Sequence, residues 1–429
     1  MKKILSLMII LALVLSLAAC GNNDEASGTM EIKEDGKITI WAWDPNFNIA
    51  IMEEAKARFA DMYPDMEIEI VDYAKGDLEQ KLHTNLASGV TTGLPDIVLI
   101  EDYNAQMYLQ SYPGSFTDLT GKVPHGDFVD YKTELMTLNS KIYGVPFDSG
   151  VAGFYYRSDV LSEAGYEAKD LENITWDDYL EIAQDVKDKT GTAMLAFDPN
   201  DGGLMRIMMQ SAGQWYTDAE GNPSLASNKA LIEAVRVYRE IAGSDWIKPT
   251  SGWGEWVGAF NSGETASVIT GVWITGSVKA EASQSGMWAV APVPRLNVEG
   301  SKNASNLGGS SWYVLDSSEN KGAAIEFLNE TYGKDVDFYQ KILIDRGAVG
   351  SFKPSQTGSA YSEADPFFNG QKVYADFSKW MTEIPAISFG TYTYEADAAI
   401  FANMGDVYNG GSIEEALKKS EEQLKSQIQ

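Results

Sequence analysis

Apolar residues follow two different spacings in the first hundred residues of the chain. The run from Lys37 to Trp43 is rich in β-branched and aromatic residues and predicts a β-strand, whereas apolar residues recur at helical spacing from Ile49 to Met62. The same two patterns then repeat and predict a strand, a helix and a strand over 67–73, 77–88 and 96–100. This β-α-β-α-β order predicts a parallel sheet covered by helices.

Further along the chain, two helix starts carry a capping pattern. Thr175 is followed three residues later by Asp178, and Ser412 by Glu415, and each pair precedes an apolar-periodic stretch. We therefore predict helices that begin at these points and a second α/β region after the first.

The first nineteen residues have the pattern of a secretory signal. Lys2 and Lys3 precede a short apolar run from Ile4 to Ala19. The run ends in Leu-Ala-Ala-Cys, which resembles the lipobox of bacterial lipoproteins and implies lipidation, such as a palmitate, on Cys20. The alternative is an ordinary signal cut after Ala19. We expect residues 1–19 to be removed and Cys20 to anchor the chain to the outer side of the cell membrane.

The composition of residues 20–36 predicts a flexible tether between that anchor and the folded part of the chain. The stretch has few apolar residues and glycines at both ends, Gly21 and Gly36. The alternative is a merely disordered terminus. In either case, folding is expected to begin near Lys37.

Length and composition narrow the possible functions. The chain has 429 residues, which suggests two or three domains, and 33 basic against 62 acidic residues, a net charge of −29. Such a charge repels phosphate backbones, so we expect no nucleic-acid partner. With His83, His125 and Cys20 as its only histidines and cysteine, the chain lacks the usual zinc and iron ligands, and we predict no metal and no cofactor.

Aromatic residues next to polar ones suggest a ligand. Among the 11 Trp and 21 Tyr, six tryptophans lie beside Asp, Gln, Glu, Gly or Ser: Trp41, Trp43, Trp215, Trp253, Trp256 and Trp273. A sugar ring presents an apolar face that stacks on an indole and a rim of hydroxyls that needs carboxylates and amides. For any single Trp the alternative is core packing, but the group as a whole favours a sugar site.

Four segments together resemble the bacterial extracellular solute-binding lipoproteins (family 1) of carbohydrate-uptake ABC transporters. They are ITIWAWDPN from 38, LPDIVLIED from 94, KIYGVPFDSGVAGFYYRSDVLSEAG from 141 with TWDDYLEIA from 175, and FNSGETASVITGVWITG from 260 with LGGSSWYVL from 307. The resemblance implies an α/β, two-lobed, periplasmic-binding-protein-like fold (type II) with a ligand cleft between lobes joined by crossing segments. The implied lobes are 37–150 plus 293–348 and 151–292 plus 349–429.

The resemblance also implies which residues contact the ligand. Carboxylates after the predicted strands and in the first crossing segment, Asp44, Glu101 and Asp148, are expected to accept hydrogen bonds from sugar hydroxyls, and Asp102 follows the same strand as Glu101. The alternative for these carboxylates is a solvated or helix-capping role. Trp273 matches an aromatic residue that stacks on sugar, and Gly309 belongs to a glycine pair that lets the ligand approach the backbone. We add Trp43, Trp253 and Trp256 as stacking partners, although the last two lie in a region that varies within the family.

Three functions follow from these features. The first is a non-catalytic, monomeric receptor that captures an oligosaccharide by cleft closure and delivers it to the permease subunits of an ABC importer. The second is a surface-anchored carbohydrate-active enzyme that uses the same aromatic cleft with a pair of carboxylates. The third is a binding protein for a cationic solute such as a polyamine, which the negative charge also suits.

Overall fold

A computed structural model describes residues 36–428 of the chain. The predicted signal peptide, Cys20 and all of the predicted tether except Gly36 lie outside these residues. Across residues 36–428, no helix combines the length and the apolar character that crossing a bilayer requires.

Strands in the described chain form two five-stranded sheets and one hairpin. In chain order they are β1 Lys37–Ala42, β2 Glu67–Asp72, β3 Ile97–Glu101, β4 Thr137–Leu138, β5 Lys141–Ile142, β6 Gly144–Pro146, β7 Ala152–Arg157, β8 Ala193–Phe197, β9 Ile247–Pro249, β10 Thr265–Gly271, β11 Trp288–Pro292 and β12 Ser310–Val314. The first sheet has the order β2-β1-β3-β12-β6, the second the order β11-β7-β10-β8-β9, and β4 pairs with β5.

The first sheet confirms the predicted parallel arrangement and extends it. Strands β2 and β3 both run parallel to β1, whereas β12 is antiparallel to its neighbours β3 and β6. Both faces of this sheet are covered. Ile38 and Ile40 of β1 join one hydrophobic core, and Trp41 joins the core on the opposite face. This two-sided burial explains why the inner strands β1 and β3 are mostly apolar on both faces, whereas the edge strand β2 alternates apolar residues with exposed acidic ones.

Helices pack around both sheets. They are Asn48–Ala60, Lys75–Ser88, Asp102–Ser111, Asp130–Leu135, Ser158–Ala164, Trp176–Thr190, Gly203–Ser211, Lys229–Ala242, Gly252–Asn261, Thr275–Lys279, Lys321–Thr331, Val336–Arg346, Ser359–Ser362, Val373–Met381, Thr393–Tyr408 and Ile413–Gln427. The predicted strands and helices of the first hundred residues agree with these bounds to within two residues.

Both predicted helix starts are confirmed, and the reciprocal capping box forms at the first of them. The Thr175 hydroxyl accepts from the Asp178 N–H, and the Asp178 carboxylate accepts from the Thr175 N–H at 2.7 Å, so each satisfies a donor that the helix leaves unpaired. Ser412 caps the last helix by accepting from the Glu415 N–H at 3.2 Å.

Three segments that connect the two sheets are hydrogen bonded to one another. The Ser149 N–H donates to the Val349 carbonyl at 2.8 Å, and the Leu307 N–H donates to the Gly150 carbonyl at 2.8 Å. Gly150 is required here, because a β-carbon would lie 2.1 Å from the Leu307 carbonyl oxygen. The three segments therefore meet at one place between the sheets.

Lobe boundaries at residues 150, 292 and 348 remain a proposal. The sheets and cores support the first and the third, whereas Val293, Leu296 and Ala304, which follow the second, still join the second-sheet core. Strands β7 and β11 belong to the second sheet, whereas β12 belongs to the first. Residues of helices Lys321–Thr331 and Val336–Arg346 join the first-sheet core, and residues of helix Val373–Met381 join the second-sheet core.

Candidate functional site

A cleft of about 800 Å³ is lined by residues from both sheets and their helices. Seven of the eight residues predicted to contact a ligand line it: Trp43, Asp44, Glu101, Asp148, Trp253, Trp273 and Gly309. The eighth, Trp256, lines a smaller chamber of about 300 Å³ that shares Trp253 and Trp273 with the cleft. The fold thus brings the predicted residues together, although they span more than half of the chain.

Glu101 ends β3 and is held by partners from both lobes. Its carboxylate accepts from the Lys75 ammonium at 2.6 Å and from the hydroxyl of Tyr394, which lies on helix Thr393–Tyr408. Lys75 also lies 6.0 Å from the ring centroid of Trp43, within the range of a cation–π interaction. The Glu101–Tyr394 hydrogen bond joins the two sides of the cleft.

Asp44 shapes the turn that follows β1. Its φ of +63° is in the left-handed region, which Asp tolerates better than most residues. One carboxylate oxygen accepts from the backbone N–H groups of Asn46 and Phe47, at 3.1 and 3.2 Å. Asp44 is exposed and lines the cleft, so it supports the turn and also faces the site.

Asp148 lies at the base of the cleft and is buried. Its carboxylate accepts from the Ser310 N–H at 2.7 Å and so fixes the start of β12. Burial raises the pKa of Asp148 to about 6; the nearby Asp102 acts in the same direction, and Lys132 opposes both. Sequence reasoning assigned Asp148 to the ligand, whereas the structure also gives it a role in positioning the backbone.

A buried ion pair supports the same part of the backbone. The Lys132 ammonium lies 2.6 Å from the Asp102 carboxylate, and the two side chains are 0% and 1% exposed. Lys132 also donates to the Ser310 carbonyl at 2.9 Å. Gly309 is needed beside this pair, because its φ is +97° and a β-carbon would lie 2.7 Å from the Asp102 carboxylate. The fold therefore requires glycine here independently of any ligand.

Three tryptophans form what we call the aromatic wall: Trp253, Trp256 and Trp273. The ring centroids of Trp253 and Trp273 are 5.9 Å apart, and those of Trp253 and Trp256 are 5.4 Å apart. Trp253 is 56% exposed, which is unusual for so large an apolar side chain. Its indole face is thus available for contact from the cleft.

The position of Trp273 is fixed by its neighbours. Its indole N–H donates to the Leu307 carbonyl at 2.9 Å. Gly271 makes room for this contact, since a β-carbon there would lie 2.2 Å from the Trp273 Nε1 atom. The Gly-x-Trp sequence therefore orients the ring before any ligand arrives.

Two further cleft residues, Arg206 and Tyr103, and the neighbouring Tyr394 were missed by sequence reasoning. The Arg206 guanidinium is 5.1 Å from the Tyr103 ring and 5.2 Å from the Tyr394 ring, and its Nε donates to Asp397 at 2.8 Å. Arg206 is the only charged residue in the otherwise largely apolar helix Gly203–Ser211, and this isolated charge could have indicated a functional residue. Tyr103 and Tyr394 carry no comparable local signal.

Two tryptophans of the predicted sugar-binding group belong instead to the core. Trp41 and Trp215 are each 3% exposed. Trp41 lies in β1 and packs in the core on one face of the first sheet. Trp215 stacks on Tyr103 with ring centroids 5.7 Å apart. For these two residues, core packing is the correct interpretation.

Two α/β lobes joined by three segments around a cleft define a two-lobed binding-protein fold. The sequence pattern of the family described as bacterial extracellular solute-binding protein matches residues 54–369. The chain therefore belongs to the bacterial extracellular solute-binding proteins.

Two sugar-binding relatives and one solved structure are similar to this chain. The chain is 54% identical over 394 residues to the lactose-binding protein of Rhizobium radiobacter, covering 92% of this chain and 93% of that one. It is 26% identical to the arabinooligosaccharide-binding protein of Bacillus subtilis (strain 168), covering 100% and 98% of the two chains. The structure of the galacto-N-biose-/lacto-N-biose I-binding protein of Bifidobacterium longum is similar in fold, with a TM-score of 0.74 at 18% identity and coverage of 93% and 98%.

Proposed function

We propose that this protein captures a small oligosaccharide outside the cell and delivers it to the permease of an ABC importer, with lactose as the first candidate ligand. The observation that carries the proposal is the exposed indole of Trp253 beside Trp273 in the cleft, in a chain 54% identical to a lactose-binding protein. A sugar stacks its C–H face on such rings, while its hydroxyls require polar partners nearby.

The proposed polar partners come from the first lobe, and the aromatic wall comes from the second. We propose that Glu101, Asp148 and Asp44 accept hydrogen bonds from sugar hydroxyls, that Trp43 and the aromatic wall supply stacking surface, and that Gly309 lets the ligand approach the backbone. A ligand that touches both lobes stabilises a closed state at the expense of an open one. Binding is therefore expected to compact the molecule.

Binding without catalysis is favoured by the state of the carboxylates. A glycosidase needs one carboxyl group free to donate a proton and another free to attack or to activate water. Glu101 is held by Lys75 and Tyr394, and Asp148 is buried against the Ser310 N–H. Their existing partners suit fixed hydrogen-bond acceptors better than proton-transfer groups.

A sugar panel measured by calorimetry tests the proposal. Lactose, other disaccharides and spermidine are titrated into the purified mature chain, and the solutions are then analysed for hydrolysis products. We expect lactose to bind without turnover and scattering to show compaction. Binding of spermidine alone would favour the cationic-solute alternative, and released monosaccharide would favour the enzyme.

We further propose that residues 1–19 are removed and that Cys20 is lipidated, so that a monomer remains at the membrane near its permease. Cys20 is the only cysteine in the chain and directly follows the predicted signal. In cell fractionation, Cys20→Ala is expected to move the protein from the membrane to the soluble or secreted fraction. Retention of the variant through a high-salt wash would show that another anchor exists.

A further inference from the structure

The chamber behind the aromatic wall combines apolar surface with free polar atoms. It has a volume of about 300 Å³, and Asp201, Trp253 and Trp273 are among the residues that line both the chamber and the cleft. The indole rings and the side chains of Leu195 and Phe197 supply apolar surface. A ligand that lies in the cleft against Trp273 can therefore extend into the chamber.

Thr270 brings an unused hydroxyl group to the chamber. The residue lies on β10, lines the chamber and is only 2% exposed. Its hydroxyl has no hydrogen-bond partner within residues 36–428. A buried polar group without a partner is unfavourable, and a ligand in the chamber that bonds to it removes this cost. The position of this hydroxyl therefore indicates a polar ligand.

Two carboxylates that follow β8 each keep one free oxygen at the chamber. Asp198 is half-buried and Asp201 is exposed, and both line the chamber. One oxygen of Asp198 accepts from the Asn200 N–H at 2.9 Å, and one oxygen of Asp201 accepts from the Gly203 N–H at 2.7 Å. The second oxygen of each has no partner in the described part of the chain. No Lys, Arg or His is among the described residues that line the chamber, so it favours hydrogen-bond donors and repels an anionic group.

We propose that the chamber holds one uncharged ring of the oligosaccharide, whose hydroxyls pair with the Thr270 hydroxyl and with the free oxygens of Asp198 and Asp201. This inference rests on the proposed function and specifies which residues recognise that ring. A sugar ring needs an apolar surface for its C–H face and polar partners for its hydroxyls, and the chamber supplies both. The neighbouring ring lies in the cleft, so lactose occupies both compartments.

Calorimetry with lactose on two valine variants of the mature protein tests the role of the hydroxyl. Thr270→Val keeps the shape of the side chain and removes its hydroxyl, so a hydroxyl of lactose loses its partner. Thr265→Val is the matched control, because Thr265 lies on the same strand and has a buried, unpaired hydroxyl but is not among the chamber residues. We expect Thr270→Val to weaken lactose binding at least about fivefold and Thr265→Val to change it less than about twofold.

Asp198→Asn tests the carboxylate and preserves the turn around it. The amide oxygen still accepts from the Asn200 N–H, but the charge is lost, and hydrogen bonds to a charged acceptor are stronger than those to a neutral one. Asp218→Asn is the control at an exposed turn outside the chamber, where the carboxylate accepts from the Glu220 N–H at 3.0 Å. We expect Asp198→Asn to weaken lactose binding at least about tenfold and Asp218→Asn to leave it unchanged. Circular dichroism checks that each variant is folded.

Three results would overturn the inference. Normal lactose affinity in folded Thr270→Val and Asp198→Asn would place both rings outside the chamber and leave the proposed function intact. Tighter binding of lactose by Thr270→Val would show that an apolar part of the ligand faces this position. Equal losses in Thr270→Val and Thr265→Val would assign the effect to the packing of β10. If lactose does not bind the wild type, lactose fails as the proposed ligand, and this inference fails with it.

Discussion

The two sides of the cleft are built on different principles. On the first-lobe side the conspicuous side chains are charged and already engaged: Glu101 with Lys75, Asp102 with Lys132, and Asp148 with the Ser310 N–H. On the second-lobe side the conspicuous side chains are indoles, and Trp253 is more than half exposed. On the first-lobe side these polar groups are bonded to other groups of the protein. On the second-lobe side the indole of Trp253 is open to solvent.

This difference predicts that substitutions on one side of the cleft mainly change stability and that substitutions on the other mainly change ligand binding. Charged groups that are buried and paired are costly to disturb, so changes on the first-lobe side should act mainly on folding. Exposed aromatic faces contribute little to folding until a ligand covers them, so changes on the second-lobe side should act mainly on binding. Four substitutions test this division.

Lys132→Met is expected to have the largest effect. It leaves the buried Asp102 carboxylate without its cationic partner, and breaking such pairs typically costs about 3–5 kcal/mol of unfolding free energy. Urea denaturation measures the loss. The control is Lys169→Met, which breaks a pair whose side chains are 71% and 72% exposed and should change stability little. Adding Asp102→Leu to Lys132→Met should recover part of the loss, and no recovery would show that the pair itself is not the cause.

Trp273→Ala is expected to weaken sugar binding at least about tenfold, because it removes the best-fixed ring of the aromatic wall. Calorimetry with lactose measures the affinity, and thermal unfolding checks that the variant is folded. Met62→Ala removes an exposed apolar side chain that is not among the cleft residues and should leave binding unchanged. Normal binding by folded Trp273→Ala would place the sugar elsewhere.

Asp148→Asn is expected to change how stability depends on pH. The native pKa of about 6 lies above the ordinary value of 3.8, so between pH 4 and 6 the native state binds more protons than the unfolded state. This carboxyl group therefore makes the unfolding free energy fall as pH rises through that range, by up to about 3 kcal/mol. The stability of Asp148→Asn relative to wild type should accordingly increase from pH 4 to pH 7 in urea titrations. A constant difference would mean that the carboxyl does not titrate there.

Tyr394→Phe is expected to have the smallest effect. It removes the hydroxyl that donates to Glu101 across the cleft, and because Tyr394 is 37% exposed, solvent replaces much of that interaction. We expect a slightly larger radius of gyration without ligand and a loss of affinity below about fivefold. Tyr73→Phe, which removes a hydroxyl paired with Lys81 on an exposed surface, is the control. If Tyr394→Phe and Tyr73→Phe have the same radius of gyration without ligand, the Glu101–Tyr394 contact does not favour the closed state.

Local sequence patterns were sufficient to predict the first strands and helices and the cap of the helix that begins after Thr175. The β-branched run of β1 and the Thr175 capping box depend on residues close in sequence, and the structure confirms both. The insertion of β12 between β3 and β6 could not be derived from periodicity, because its partners lie far away in the chain. Resemblance to a family, rather than pattern, predicted lobes made from separated stretches.

The residues predicted to contact a ligand share one cleft, and their contact with a ligand stays a prediction. Seven of the eight expected residues line the cleft, because strand ends and Gly-rich turns of this fold face it. The sequence did not reveal that Gly309 is fixed by the buried Asp102 carboxylate, or that Tyr394 reaches Glu101, since both depend on contacts across the fold. Trp41 and Trp215 have polar sequence neighbours yet are buried, so neighbours in sequence do not determine exposure.

The place of β12 in the first sheet has a consequence for the order in which the protein is made. Strand β3 pairs with β12 along its whole length, but β12 is synthesised about 200 residues after β3. At ~5–20 residues per second, the growing chain exposes that edge of β3 for roughly 10–40 s before its partner exists. During this interval the first lobe lacks an interior strand and cannot complete its sheet. The first sheet therefore stays incomplete beside β3 until most of the chain has been synthesised.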